Sequence, residues 1–142
     1  MTGPVTLRWN RMTDNTRQRL IRLRNELLGL HKTLLDSERA AYERDVARIT
    51  STGQYLQLVM EDPWFSWLRE LSQFIVQVDE TLDEKEPVSD AIGNQLISVA
   101  RDLIAPSEGD RGFRGRYFEV MQRDPTAVLA HRDMIKVFAE LV

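Results

Sequence analysis

The chain has 142 residues, of which 42% are hydrophobic and 29% charged, a balance typical of one globular domain with its own core. No apolar run approaches the roughly 20 residues that a transmembrane helix needs, and the first residues lack the apolar segment of a secretory signal. Cysteine is absent, which excludes disulfides, thiolate catalysis and cysteine-ligated metals. We therefore expect a cytoplasmic protein.

Charge is distributed unevenly along the chain, although the net charge is only −3. Residues 1–50 carry ten basic and six acidic side chains, a balance of +4. Residues 51–110 carry three basic and twelve acidic side chains, a balance of −9, and residues 111–142 carry six basic and four acidic ones, a balance of +2. Such blocks can steer a charged partner. We favour the simpler interpretation, in which the basic first segment packs beside the acidic middle segment.

The N-terminal third of the chain has a helical pattern. Residues 1–12 lack a helical period and are expected to form an arm, followed by a single domain over residues 13–142. From Thr13 to Thr50 the spacing of apolar residues predicts one helix of about 36 residues, ~54 Å long. The sequence also allows a break in this helix near Asp36-Ser37, because either residue could cap a new helix. The seven-residue row of apolar positions is Ile21, Leu28, Leu35, Tyr42 and Ile49.

Helix-start signals divide the rest of the chain into shorter helices. Ser51 and Gln54 have the spacing of a capping box. Asp62-Pro63 and Asp124-Pro125 each join an N-cap to a proline at the first helical position, and Ser89 is a further N-cap. The last helix should carry an apolar stripe through Val128, His131, Ile135, Phe138 and Val142. The predicted fold is all-α, an up-and-down bundle of about four to six helices with a long N-terminal helix.

Three groups of residues resemble a family of small uncharacterised bacterial all-helical proteins, over about residues 15 to 135. The resemblance implies a bacterial, cytosolic, helical protein and brings no activity with it. The residues that carry it are Leu30-His31-Lys32 with Leu34 to Glu43, Asp62 to Phe65 with Trp67-Leu68-Arg69, and Gln122 to Pro125 before Leu129-Ala130-His131.

A polar row runs along the apolar face of the first helix. Arg24, His31, Glu38 and Asp45 follow one another at seven-residue spacing, with Tyr42 between the last two. We call this row the polar seam. Buried polar groups must be hydrogen-bonded, so the seam either holds a ligand or a proton-transfer site, or fixes helix register, or is only half covered. Successive members lie ~10.5 Å apart along the axis, so His31 and Glu38 cannot share one metal.

The chain offers no strong metal, cofactor or catalytic motif. His131 lies between Val128 and Ile135, where a lone histidine is more often a satisfied core residue than a ligand, although it could join the seam at a pocket. A helical di-iron site needs Glu three residues before His, and here those positions are Leu28 and Val128. We predict no metal, no cofactor and no catalytic residue.

The segment from Arg111 to Phe118 mixes cations with aromatic residues, a composition that can bind nucleic acid. In a helix, however, Phe113 and Tyr117 would face inward together, and the chain is acidic, with a pI near 5.4. Nucleic-acid binding is therefore disfavoured and membrane binding is not expected.

Two tryptophans lie in the helix expected to begin at Pro63. An α-helical wheel places Trp64 and Trp67 on the core face and directs Phe65 about 100° away, with Val76 on the same flank. Phe65 and Val76 are therefore the predicted interface residues.

The leading functional hypothesis is a non-enzymatic helical protein that acts through protein contacts, including self-association as a homodimer. It depends on the length of the first helix, which either covers the short helices in sequence or projects toward a second chain. The alternative is a small-molecule-binding or catalytic bundle whose pocket uses the polar seam and His131.

Overall fold

A computed structural model describes residues 12–84 and 88–141, so the predicted arm lies outside the described residues except for Met12. The prediction of an all-α fold is confirmed, because the described residues form six α-helices and one 3-10 helix, with no strand. The 3-10 helix covers Ser66–Leu68. The α-helices are α1 (Asp14–Asp45), α2 (Thr52–Glu61), α3 (Arg69–Leu82), α4 (Asp90–Leu103), α5 (Phe113–Arg123) and α6 (Pro125–Glu140).

Helix α1 is continuous for 32 residues, or ~48 Å at 1.5 Å per residue. It begins where predicted, because the Thr13 hydroxyl accepts a hydrogen bond from the Thr16 amide at 3.2 Å. The possible break at Asp36-Ser37 does not occur, and Ser37 is buried within the helix. The helix ends at Asp45 rather than near Thr50.

The buried face of α1 is a leucine stripe, which we define as Leu20, Leu23, Leu27, Leu30 and Leu34. Each of these side chains is at most 2% exposed. The predicted seven-residue row lies at the edge of this face, since Leu28 is 47% exposed. The apolar arc of α1 is therefore centred on a different row from the one that the seven-residue repeat suggested.

Two helices pack antiparallel on opposite flanks of α1. On the α3 side, Arg17 donates to the Leu82 carbonyl at 2.9 Å and Arg24 pairs with Asp79 at 3.1 Å. The arginine-rich N-terminal half of α1 thus lies beside an acidic middle helix, as expected from the charge blocks. On the α6 side, Arg22 pairs with Glu140.

Helices α4 and α5 complete the bundle and meet successive parts of α1. Helix α4 runs parallel to the N-terminal half, where the Thr13 amide donates to Asp90 at 2.7 Å and Arg19 donates to Asn94 at 2.8 Å. Helix α5 reaches the C-terminal half, where Arg123 pairs with Glu38. Helix α1 therefore meets two shorter helices in sequence, α4 through close packing and α5 through this ion pair.

The cap of α6 is confirmed, but its predicted stripe is wrong. Asp124 accepts a hydrogen bond from the Thr126 amide at 2.9 Å, and Pro125 is the first helical residue. Val128 and Ile135 are exposed, whereas Phe138 is buried, and Val142 lies outside the described residues. Because apolar residues surround most of α6, periodicity alone could not select the face that packs on α1. The side chains buried with Phe138 are Ala127, Met134 and Val137, followed by Leu141.

Two helical glycines form a matched pair for testing the packing of α5. A Cβ at Gly115 would overlap the backbone carbonyl of Asp110, whereas a Cβ at Gly29 in α1 would meet nothing within 4 Å. We expect Gly115→Ala to lower the free energy of unfolding by roughly 1–3 kcal/mol through overpacking. Gly29→Ala should raise it by about 0.5–1 kcal/mol through helix propensity. Urea denaturation checks both, and a stabilised Gly115→Ala would contradict the close contact.

Candidate functional site

The segment between α2 and α3 is a turn followed by a 3-10 helix. The carboxylate of Asp62 accepts a hydrogen bond from the Trp64 amide at 2.8 Å, and its carbonyl accepts one from the Phe65 amide at 3.1 Å. The α-helical conformation begins only at Arg69. The Asp62-Pro63 signal therefore marks a turn, and the prediction of an α-helix from Pro63 is wrong.

The three-residue period of this segment places its aromatic side chains on different sides. In a 3-10 helix, residues three apart lie on the same side, so Phe65 falls with Leu68 and Trp64 with Trp67. Phe65 is 1% exposed, and its ring lies 5.8 Å from that of Tyr42. The prediction of Phe65 as an interface residue is wrong, because it assumed a 3.6-residue period.

Trp64 and Trp67, both half-buried, line a cavity of about 280 Å³ between the C-terminal half of α1 and helix α5. We call it the Glu38 cavity. The α1 residues that line it recur on one helix face, as do those of α5. They are Glu38, Ala41, Arg44 and Asp45 from α1, and Arg116, Glu119, Val120 and Arg123 from α5.

The carboxylate of Glu38 is the buried charge of this cavity. The residue is only 6% exposed, and its side chain forms an ion pair with the Arg123 guanidinium. The Trp64 indole donates to the Glu38 backbone carbonyl at 3.2 Å, which holds the indole beside the carboxylate. A carboxylate this buried needs such a cation, because an unpaired charge is costly in a low-dielectric interior.

The charged groups of the cavity form three pairs. In addition to Glu38 and Arg123, Arg44 pairs with Asp45 at 3.1 Å and Arg116 pairs with Glu119 at 3.3 Å. The side chains of these two pairs are more than half exposed. Three cations and three anions therefore meet around the two indoles, and the lining is electroneutral.

The polar seam does not form one continuous site. Glu38 and Asp45 line the cavity, and Tyr42 lies behind it, with its ring edge-on to Trp64 at 5.7 Å. Arg24 faces α3 instead and pairs with Asp79. Burial lowers the pKa of the half-buried His31 below its usual value of 6.5, so the imidazole is neutral near pH 7.

His131 belongs to a separate contact between α5 and α6. Its Nδ1 lies 2.7 Å from the Tyr117 hydroxyl, and the two ring centroids are 5.4 Å apart. Burial lowers the pKa of His131 and raises the pKa of Tyr117 above its usual value of 10.0. The structure therefore places His131 outside the cavity, in a hydrogen-bonded pair.

The basic aromatic segment has a packing role in α5. Phe113 and Tyr117 are buried and stack with centroids 5.5 Å apart, as expected for inward-facing residues. Buried rings cannot stack on nucleic-acid bases. Within the described residues, no group of three or more His, Asp or Glu side chains is arranged to hold a metal ion.

A second opening, of about 450 Å³, lies between α3 and α4. Its polar lining includes Gln73, Gln77 and Asp102, all of which are exposed. It contains no buried charge that a ligand could compensate. The Glu38 cavity is therefore the stronger candidate.

Sequence reasoning missed the arginines of the cavity. Arg44, Arg116 and Arg123 come from two helices that are far apart in the chain, so local spacing could not show that they meet. The available signal was the i, i+3, i+7 spacing of Arg116, Glu119 and Arg123, which places them on one face of α5. That spacing is also common on solvated helix faces.

Comparison with known proteins found no matching family model, no matching curated protein and no matching solved structure. None of the helices in residues 12–84 and 88–141 combines the length and the apolar character needed to cross a membrane.

A double-mutant cycle tests the buried ion pair. We expect Arg123→Gln to lower the free energy of unfolding by about 1–3 kcal/mol, because it leaves the Glu38 charge buried without its partner. Adding Glu38→Gln should recover part of that loss, since no buried charge then remains. Lys32→Gln, which removes an exposed pair with Asp36, is the control and should change stability by less than about 0.5 kcal/mol. Additive single effects in urea denaturation would contradict the coupling.

Proposed function

We propose that this protein is a non-enzymatic helical bundle that binds a small polar molecule in the Glu38 cavity. The observation that carries the proposal is the nearly fully buried carboxylate of Glu38, which lines a cavity together with the indoles of Trp64 and Trp67. Ligand sites combine an apolar wall with a few well-placed polar groups, and this cavity has both.

Binding is a better account of this cavity than catalysis. The groups whose pKa is displaced by burial include His31, Tyr117 and His131, and none of them lines the cavity. Displaced pKa values inside a cleft are a mark of acid–base catalysis. The lining instead offers paired charges and aromatic surface, which are suited to recognition.

Thermal-shift screening against polar metabolites tests the proposal. A ligand at about 100 times its Kd adds about 2.7 kcal/mol of stability, or roughly 5–10 °C in Tm for a chain of this size. Glu38→Gln and Arg116→Gln should each reduce the shift, whereas Arg132→Gln, an exposed arginine on α6, should retain it. A shift that persists in both cavity variants, or no shift with any compound, would count against the proposal.

A second candidate function, contact with another protein chain, is supported by α2. This helix has no buried residue, although five of its ten residues are large and apolar or aromatic. Leu56 is 56% exposed and Met60 is 71% exposed. Exposed apolar side chains of this kind are typical of contact surfaces. The length of α1 by itself does not support self-association, because α3, α4 and α6 pack along it within the monomer.

Light scattering across a concentration series tests self-association through α2. If α2 forms the contact, the wild-type chain is a dimer at high concentration, and Leu56→Gln with Met60→Gln makes it monomeric without loss of helicity. Ile135→Gln, at an equally exposed position on α6, is the matched control and should leave the dimer intact. A wild-type chain that stays monomeric at every concentration would rule out this candidate.

A further inference from the structure

We propose that the Glu38 cavity takes a small zwitterion, a molecule of amino-acid size that carries one ammonium, one carboxylate and an apolar body. This inference rests on the proposed function and adds the chemical class of the ligand. It is argued from three properties of the cavity: its volume, its aromatic walls and its balance of charge.

The volume sets the size of the ligand. At about 280 Å³, the cavity is just below the ~300–1,000 Å³ range of sites that hold drug-sized molecules. It has room for a body of amino-acid size. Trp64 and Trp67, each half-buried, offer aromatic surface to an apolar body of that size.

The charge balance sets the class of the ligand. Every charged side chain of the lining is paired, so a ligand with a net charge would add an uncompensated charge beside the buried Glu38–Arg123 pair. A neutral ligand would cover the ion pairs without replacing their contacts with water. A zwitterion keeps the cavity neutral, and each of its two charged groups can meet a side chain of opposite charge.

The two ends of the zwitterion would be held by different groups. Glu38 is the buried acceptor for the ammonium, and the Trp64 indole, which donates to the Glu38 carbonyl, supplies aromatic surface that attracts a cation. Arg44 and Arg116 are the donors for the carboxylate, because their side chains are more than half exposed and one bound acid leaves several N–H groups available. Arg123 stays with Glu38.

Four probes that share one phenyl body separate these charges. Phenylalanine is the zwitterion, 2-phenylethylamine the cation, 3-phenylpropionate the anion and 3-phenylpropan-1-ol the neutral molecule. None of the three analogues is larger than phenylalanine, so none can fail for lack of space. Tryptophan fluorescence reports binding, since Trp64 and Trp67 line the cavity and the probes do not absorb where tryptophan is excited. A Trp9→Phe background removes the third tryptophan.

We expect phenylalanine to bind at least about tenfold more tightly than each of the other three probes. Glu38→Gln should weaken phenylalanine about tenfold and leave 3-phenylpropionate unweakened. The double variant Arg44→Gln/Arg116→Gln should weaken phenylalanine and leave 2-phenylethylamine unweakened. Arg132→Gln should change none of the four affinities. If circular dichroism shows that Glu38→Gln does not fold, the Arg44→Gln/Arg116→Gln double variant still tests the inference, because both of its positions are exposed.

Two results would overturn the inference: no binding of phenylalanine, or a singly charged or neutral probe that binds as tightly as the zwitterion. The proposed function would survive either result if metabolite screening finds another ligand whose shift depends on Glu38 and Arg116. It would fail with the inference if no ligand of any class depends on those residues.

Discussion

The leucine stripe of α1 is the interaction on which the rest of the bundle depends. Its side chains are almost fully buried and face α3, α4 and α6. Each fully buried leucine contributes about 1.5–3 kcal/mol through the hydrophobic effect, several times the contribution of an exposed ion pair. The arginines that join α1 to its neighbours, such as Arg17 and Arg24, therefore set the register of helices that the stripe already holds together.

The Glu38 cavity is a consequence of how that stripe ends. Beyond Leu34 the buried face of α1 continues through Glu38, Ala41 and Tyr42, so a carboxylate occupies a position where a leucine would close the core. Arg123 compensates its charge, and the Trp64 indole holds the adjacent backbone. Replacing a buried ion pair by apolar side chains is often neutral or stabilising, so the pair gains little for the fold. The proposed binding role would account for a charge at this position.

Packing also explains why the polar seam separates into independent contacts. Arg24 and Glu38 share a row on α1, yet each meets a different neighbour, Asp79 on α3 and Arg123 on α5. His131, which could have joined them, is instead hydrogen-bonded to Tyr117. A single helix can align polar groups, but the helices packed around it decide which of them converge.

The sequence by itself determined the all-α class, the single long first helix and the caps at Ser51, Ser89 and Asp124, because these depend on local hydrogen bonds and on apolar spacing. It failed where local signals were ambiguous. Asp62-Pro63 starts a turn as readily as a helix. Because the residues that follow have a 3-residue period and not a 3.6-residue period, Phe65 lies in the core and not on the surface. The buried face of α6 and the meeting of Glu38 with Arg123 were decided only by tertiary structure. The physical reason is that burial and charge compensation depend on which surfaces meet across the bundle. Glu38 and Arg123 are 85 positions apart, so no local sequence pattern indicates that they are in contact.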